Sequence, residues 1–328
     1  RPGGAVDTLR RGALPYPAHL AGSFLQFGFL SWSDKFALAA DLRALQKRYG
    51  DVALEQLTMA EWLSSRNVSK NSYQRFWRPI LVSALNEEPE RASARAAFQV
   101  FAEGLLGSKT SYEMGVPAVP LAELYDGAPG AVQVHLRESV ERIDAQSDEA
   151  DVYISAVPYD RVLALLPGLE LNVEPFEHSP ITGVHLWFDR PVTELAHAVL
   201  LDRTMQWMFR KSDTYVQCVV SASRDLLTMS RGDIIELARK ELAEYFPAVA
   251  EAQLIRAHVV KEARATYSIK PGLTKHRPPA ETKYANVFLA GDWTDTNWPA
   301  TMEGAVRSGY RAAEAAARSQ GAAARFLV

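Results

Sequence analysis

Apolar positions in the first 125 residues recur at helical spacing. Leu38, Leu42, Leu45 and Tyr49 form one stripe, and Gly50 ends it. Thr58 and Glu61 stand at capping-box spacing and predict a second helix with Trp62 and Leu63 in its body. A further helical region covers 76–86, an alanine-rich stretch follows at 91–106, and Pro117 and Pro120 punctuate the chain before 121–125. This part reads as mainly helical, with many aromatic positions.

Beyond it the period changes to two. Residues 132–136 alternate, 139–143 read as their continuation or partner, and 151–158 is a short apolar strand ended by Pro158. Residues 181–188 alternate most clearly: Val184, Leu186 and Phe188 share one face, His185 and Trp187 the other. Residues 205–209 and 215–221 read as sheet partners, 233–246 as an amphipathic helix closed by Pro247, and 254–260 as another strand. A last strand, 287–290, precedes the final helix. Helices come first, then an α/β piece, an antiparallel sheet, and an α/β piece again. One sheet does not give that order; two interleaved domains do, so the expected class is α/β locally and α+β overall.

Composition narrows the function. A chain of 328 residues, 48% hydrophobic, can bury a sizeable core. Its net charge of −3, with Lys and Arg dispersed, excludes a nucleic-acid footprint. The one cysteine, Cys218, excludes an internal disulfide framework, fits a reducing compartment, and reads as a buried strand residue rather than a nucleophile. No run makes a spanning helix. The nearest, 14–30, is interrupted by Pro15, Pro17, Gln26 and two glycines. Two readings of it stay open: a buried loop and helix, or a surface segment with Phe24, Phe27 and Phe29 that dips into a bilayer or lines the entrance for an apolar substrate. The amino terminus lacks an initiator Met and a signal pattern, so the expectation is a fragment, or a chain whose preceding segment is missing.

The chemistry concentrates near the carboxy terminus. An apolar strand ends at Gly291 and Asp292, where ligands of open α/β sheets lie. Asp292 there accepts hydrogen bonds from ligand hydroxyls. A helix expected to begin near Pro299 turns unpaired N–H groups and partial positive charge toward an electron-rich oxygen. Gly304, Ala305 and Gly309 give it a small-residue face. No His/Cys/carboxylate cluster has metal-ligand spacing.

The segment LAGDWTDTNWPATMEGAVRSGY, 289–310, resembles the carboxy-terminal flavin motif of the FAD-dependent amine oxidase and phytoene desaturase superfamily. It is most similar to the bacterial squalene-associated hydroxysqualene dehydroxylases of hopanoid pathways. The likeness extends to FWRP at 76–79, ALN at 84–86, ERAS at 90–93, VHLWFDRP at 184–191, VKEARAT at 260–266 and PGL at 271–273. The resemblance implies a glutathione-reductase-type FAD domain, here incomplete, interleaved with a substrate domain. The segments would be a helical part at 1–126, an FAD-domain piece at 127–168, the antiparallel-sheet part at 169–253 and a second FAD-domain piece at 254–328.

It also implies roles. Gly291, Asp292, Trp298, Pro299, Thr301, Met302, Glu303, Gly304 and Ala305 would hold the flavin, Asp292 through its ribityl hydroxyls, and Val140 would lie near the adenosine. Trp187, Trp207 and Phe209 would line a channel for a long apolar isoprenoid. The reaction implied is removal of an allylic hydroxyl from hydroxysqualene with hydride from reduced FAD, by a cytoplasmic protein that touches the inner face of the bacterial membrane. The acid it needs is Asp295 or, second, Tyr267. A carotenoid-type desaturase and a flavin-less prenyl-lipid binder are the alternatives. One departure stands out: G-x-G-x-x-G, the pyrophosphate cradle of the superfamily, occurs nowhere in the sequence, and Gly127 and Gly130 have the wrong spacing.

Overall fold

The computed structural model describes residues 1–16, 18–125, 132–147 and 149–327. Pro17, the glycines at 127 and 130 and the segment boundary at 126/127 lie outside the described residues.

The helical part is set by local signals. Helix α1 (Trp32–Arg48) opens on a capping box between Ser31 and Asp34 and buries Leu38 and Leu45. It stops at Gly50, whose φ of 91° favours glycine. Tyr49, expected on the buried stripe, is exposed. Helix α2 (Met59–Ser65) has the anticipated box: the Glu61 amide donates to Thr58 Oγ1 at 3.1 Å, and the Thr58 amide to the Glu61 carboxylate at 2.8 Å. Helix α3 (Arg78–Leu85) follows a π-helical turn and ends in left-handed Asn86, and α4 (Ala94–Gln99) runs into another π turn. Trp62 meets Phe98 and Trp77 meets Phe101 edge to face, with centroids 4.9 and 4.6 Å apart.

Two strands in parallel, β1 (Tyr153–Ser155) and β7 (Val287–Leu289), form the described part of the nucleotide-type sheet. Behind β1 runs α5 (Tyr159–Leu165). The helical part and this piece share one core, which holds Trp77, Phe98, Val162, Phe176, Tyr267, Leu289 and Trp293 together.

The second core belongs to a five-stranded antiparallel sheet in the order β3-β4-β5-β2-β6. Its strands are β2 (His178–Phe188), β3 (His197–Val199), β4 (Trp207–Arg210), β5 (Tyr215–Ser221) and β6 (Leu254–Tyr267). Val184, Leu186, Phe188 and Cys218 face helix α6 (Arg231–Tyr245), whose buried residues include Ile234, Ala238 and Leu242. Burial pushes the Cys218 thiol up to about 12, so it is inert packing. The edge strand β6 runs through to Tyr267, so the chain leaves this sheet about a dozen residues later than a boundary at 254 implies.

A buried polar hub ties α3 to the sheet. The Asn86 side chain donates to Ser179 O and Thr266 Oγ1 at 2.9 Å each and accepts from the Ala222 amide at 2.7 Å. Glu87, fully buried, takes two bonds from Arg224 at 2.8 and 2.6 Å and one from the Ser268 hydroxyl. Those hydrogen bonds outweigh its desolvation and hold the carboxyl below the usual range.

One expectation is corrected, and of the two readings of 14–30 the buried one fits its rings. Residues 132–136 and 139–143 form no strand, and Val132, Val134, Leu136 and Val140 are all exposed. An alternating run becomes a strand only beside a neighbour that takes its backbone bonds; among the described residues the one such bond is from the Ile143 amide to Leu165 O at 2.9 Å, too little to make a ladder. In 14–30, Phe27 is buried in the first core and Phe24 and Phe29 pack against it, Phe27 stacking on Phe29 at 4.9 Å. Those rings are structural. Among the described residues no helix is long and apolar enough to cross a membrane.

Candidate flavin-edge site

The site is built where β7 hands over to α7 (Met302–Ser319). β7 is wholly buried, and β1 pairs with it in the register Ser155 to Leu289, with the Ala290 amide continuing to Ser155 O at 2.8 Å. Gly291 then turns at φ 125°. A side chain there would meet Trp293 Nε1 at 2.6 Å, because the buried indole folds back beneath the turn and donates to Val157 O at 3.0 Å. The protein's own tryptophan fills the space that a side chain at 291 would need.

The helix starts later than Pro299. Thr301 is the cap, its Oγ1 accepting from the Gly304 amide at 3.1 Å, and Pro299 belongs to the preceding loop. A Cβ on Gly304 would stand 2.6 Å from Pro299 O and 3.8 Å from Asp292 Cβ. Only glycine lets the first turn close onto the loop beside Asp292. From the second turn, Ser308 Oγ reaches back to the Gly291 amide at 2.7 Å and fixes strand end to helix. Among the described residues the amides of Met302 and Glu303 have no protein partner, which leaves two donors at the positive end of the helix.

Asp292 is half-buried, and no side chain bonds its carboxylate among the described residues. Burial raises its pKa; the nearby charge of Arg277 and the Trp293 amide partly oppose the rise. Arg277 itself is buried and pairs with no carboxylate among the described residues. One of its nitrogens donates to Asp292 O at 2.9 Å, Thr294 O at 2.6 Å and Thr296 Oγ1 at 3.2 Å, and the guanidinium stands 5.6 Å from the Tyr267 ring. Its Nε and the Tyr267 hydroxyl are both buried without partners among the described residues. Burial holds the Tyr267 phenol well above its ordinary pKa, so it keeps its proton.

The remaining candidates separate. Asp295 is exposed, and its carboxylate accepts from the Asn297 amide at 3.3 Å, within its own loop. Arg95 and Gln99 brace that loop through Asn297 at 3.2 and 3.3 Å. Glu303 is exposed and paired with Arg307 at 2.7 Å, and Arg307 covers the Trp298 ring at 4.2 Å. Ala305 and Met302 are exposed. Val140 is exposed and outside any element. Trp187, Trp207 and Phe209 do share a surface, the sheet face opposite α6. There Trp187 stacks on Tyr215 at 4.4 Å, Trp207 lies 5.7 Å from Phe209, and His185 is satisfied by the Tyr215 hydroxyl at 2.6 Å. Strand β2 itself runs about 30 Å, at ~3.3 Å per residue, from His178, paired with Tyr267, to Trp187. Arg277, Trp293 and Ser308 were not anticipated. Only Ser308, one helical turn past Gly304, carried a signal in its spacing.

A half-buried carboxylate with no side-chain partner, two unpaired amides at a helix start and a glycine cradle suit the polyhydroxyl and electron-rich ring edge of a flavin. The described residues supply no backbone cradle for a pyrophosphate, so the fit covers the flavin end alone.

Comparison with known proteins agrees. The family model for flavin containing amine oxidoreductases matches residues 2–317. A Synechococcus elongatus protein described as "Probable zeta-carotene desaturase" is 30% identical over 92% of this chain and 77% of its own length. The hydroxysqualene dehydroxylase of Rhodopseudomonas palustris is 32% identical over 76% of this chain and 63% of its own length. A 15-cis-phytoene desaturase from an Oncidium hybrid is 27% identical, and the chain spans 57% of it. The chain thus spans less than two thirds of the latter two relatives. Among solved structures, a cofactor-site variant of putrescine oxidase matches with a TM-score of 0.65 at 15% identity, covering 88% of this chain and 76% of its own. Cyclohexylamine oxidase from Brevibacterium oxydans matches at 0.59 and 16%, covering 95% and 79%. The solved structures share the fold of this chain. This chain belongs to the flavin-containing amine oxidoreductase family, whose FAD-type flavin is the cofactor that the Asp292 site fits.

Proposed function

We propose that the Asp292 site takes the ribityl and ring end of FAD in an oxidoreductase that acts on a long apolar isoprenoid, removing an allylic hydroxyl from hydroxysqualene to give squalene and water. The observation that carries this reading is the Asp292 carboxylate, half-buried at the end of β7 against a helix start that Gly304 closes down. Bound and reduced, FAD supplies the hydride that replaces the departing hydroxyl. Asp292 accepts from the ribityl hydroxyls. When FAD is bound, the Met302 and Glu303 amides, unpaired among the described residues, would stabilise negative charge on the flavin ring, and Trp298, Pro299, Thr301 and Ala305 would help hold it. Of the two candidate acids, Tyr267 is the one sheltered from solvent, although the burial that raises its pKa also makes it a poorer proton donor. Its hydroxyl is buried, protonated and unpartnered among the described residues, whereas Asp295 faces solvent. The aromatic face with Trp187, Trp207 and Phe209 is offered to the isoprenoid chain.

Oxidative desaturation is the second reading, because the carotene desaturase relative at 30% identity is about as similar as the dehydroxylase at 32%. The two separate by product. The chain, expressed with whatever coding sequence precedes Arg1 and supplied with FAD, is given hydroxysqualene under reducing conditions and phytoene or zeta-carotene under oxidising ones. Squalene from hydroxysqualene supports the first reading, and new conjugated double bonds support the second. A colourless protein that converts neither substrate sinks both and leaves a lipid binder.

A further inference from the structure

The five-stranded sheet ends in two unlike edges. On one side β3 is only three residues long, and a short edge strand offers little for another chain to pair with. On the other side β6 runs for 14 residues, and among the described residues it pairs with β2 alone. The β2–β6 ladder is irregular near both ends, between Ser179 and Ile181 and between Trp187 and Phe188. From Arg256 to Glu262 it is regular.

The pairing decides which backbone groups that stretch leaves free. The Phe188 amide bonds Thr214 O, so the even-numbered residues of β2 turn their peptide groups to β5 and the odd-numbered ones to β6. Opposite Ile181, Gly183, His185 and Trp187 stand Glu262, Val260, His258 and Arg256. Those four residues spend their backbone groups on β2, and Ala257, Val259 and Lys261 turn theirs outward. Such a row of amides and carbonyls is a template for a further strand. Among the described residues the Arg231 side chain reaches it, with Nε 3.4 Å from Val259 O, longer than a well-formed N–H···O bond.

The side chains say which strand fits. Arg256, His258, Val260 and Glu262 share one face and are all exposed. The other cations of β6 are engaged: Lys261 donates to Leu227 O at 2.9 Å, and Arg264 pairs with Asp160 at 2.8 Å. Arg256 lies over the Trp187 ring at 4.9 Å, and the Glu262 carboxylate takes only the Arg264 amide at 3.2 Å. Among the described residues neither is in an ion pair. An antiparallel copy of the same strand centred on Val259 sets Arg256 against the partner's Glu262, and Glu262 against the partner's Arg256. His258 and Val260 then face each other in the same reciprocal way. Centring on His258 leaves Arg256 opposite a valine, and centring on Val260 sets Arg256 against the partner's Arg264.

We propose that β6 pairs with β6 of a second copy of this chain, antiparallel about Val259, in a two-fold dimer whose sheets join edge to edge. The two Arg256–Glu262 pairs fix its register. The edge is independent of what the Asp292 site binds.

The test is light scattering and sedimentation equilibrium of the 328-residue protein over a concentration series. The wild type is expected to dimerise and to dissociate on dilution. Arg256→Glu and Glu262→Arg, each alone, put like charges opposite one another at both ends of the ladder and should weaken association by about tenfold. Combining the two substitutions restores both pairs with their signs exchanged, so the double variant should return to the wild-type dissociation constant. Both side chains are exposed, and far-ultraviolet circular dichroism should match the wild type in all three variants. A wild type that stays monomeric throughout the series overturns the proposal. So does a dimer that neither single reversal weakens, or a double variant as weak as the single ones.

Discussion

Replacing Arg277 with Met removes the cation that holds the Asp292 loop while keeping most of its volume. Its Nη2 group reaches three oxygens, at 2.9, 2.6 and 3.2 Å, but has only two protons to give. Two charge-assisted hydrogen bonds contribute roughly 1.5–3 kcal/mol each. Against them stands the desolvation of a guanidinium that is only 7% exposed and lacks a carboxylate partner among the described residues. The net loss on substitution should then sit at the low end, about 3 kcal/mol. Urea unfolding followed by tryptophan fluorescence measures it, with Trp293 inside the affected loop. A second effect is electrostatic. Burial already raises the Asp292 carboxyl and Arg277 opposes the rise, so Arg277→Met should move the Asp292 titration further up, read from its carboxyl carbon by NMR. Arg277→Lys keeps the charge but cannot span the three acceptors, so it should restore most of the titration and only part of the stability. If Arg277→Met changed stability by less than about 0.5 kcal/mol, the level of an unremarkable surface change, and left Asp292 titrating as before, the loop would be holding itself and the argument would fail.

Other outcomes follow from the same geometry. Asp292 has a folded-state pKa above its unfolded value, so its ionised form destabilises the ligand-free chain at neutral pH. Asp292→Asn should stabilise it there, with the gain shrinking as pH falls through the folded pKa toward the ordinary ~3.9, in pH-dependent urea titrations. Glu87 is the opposite case: its folded pKa is depressed, so its contribution is complete above the ordinary glutamate value of 4.5 and is lost as pH falls through the folded pKa. Glu87→Ala should cost about 3–5 kcal/mol at neutral pH and progressively less in acid. Gly304→Ala should destabilise by at least about 1 kcal/mol despite the better helix former, because its Cβ meets Pro299 O at 2.6 Å. Gly309→Ala, with nothing within 4 Å, should stabilise by about 0.8 kcal/mol; equal effects at both positions would contradict the cradle.

Much of this was legible in the sequence where local chemistry decides. The Thr58–Glu61 box, the alternation along 181–188 and the strand at 287–290 are each set by neighbours a few residues away, and each formed. The alternation at 132–136 also read as a strand and failed, because a strand needs a partner that no short window reveals. Pro299 looked like a helix start, but Thr301, with an oxygen to spend on the Gly304 amide, took that place. In the site, Gly291, Asp292 and Gly304 were readable as glycines and an acid at a strand end. Arg277 was not, since an arginine before a proline says nothing of the loop it will hold 15 residues on. Phe24, Phe27 and Phe29 show the same limit from the other side. Their apolarity was plain, and whether core or surface claimed it depended on Phe76 and its neighbours, far along the chain.

The central claim is spatial, and a crystal structure of the chain grown with FAD tests it most directly. The account predicts the three-ring system between the end of β7 and Thr301, with the ribityl hydroxyls on the Asp292 carboxylate and the ring edge at the Met302 and Glu303 amides. Flavin bound elsewhere, or that crevice closed by the protein's own side chains, would contradict it.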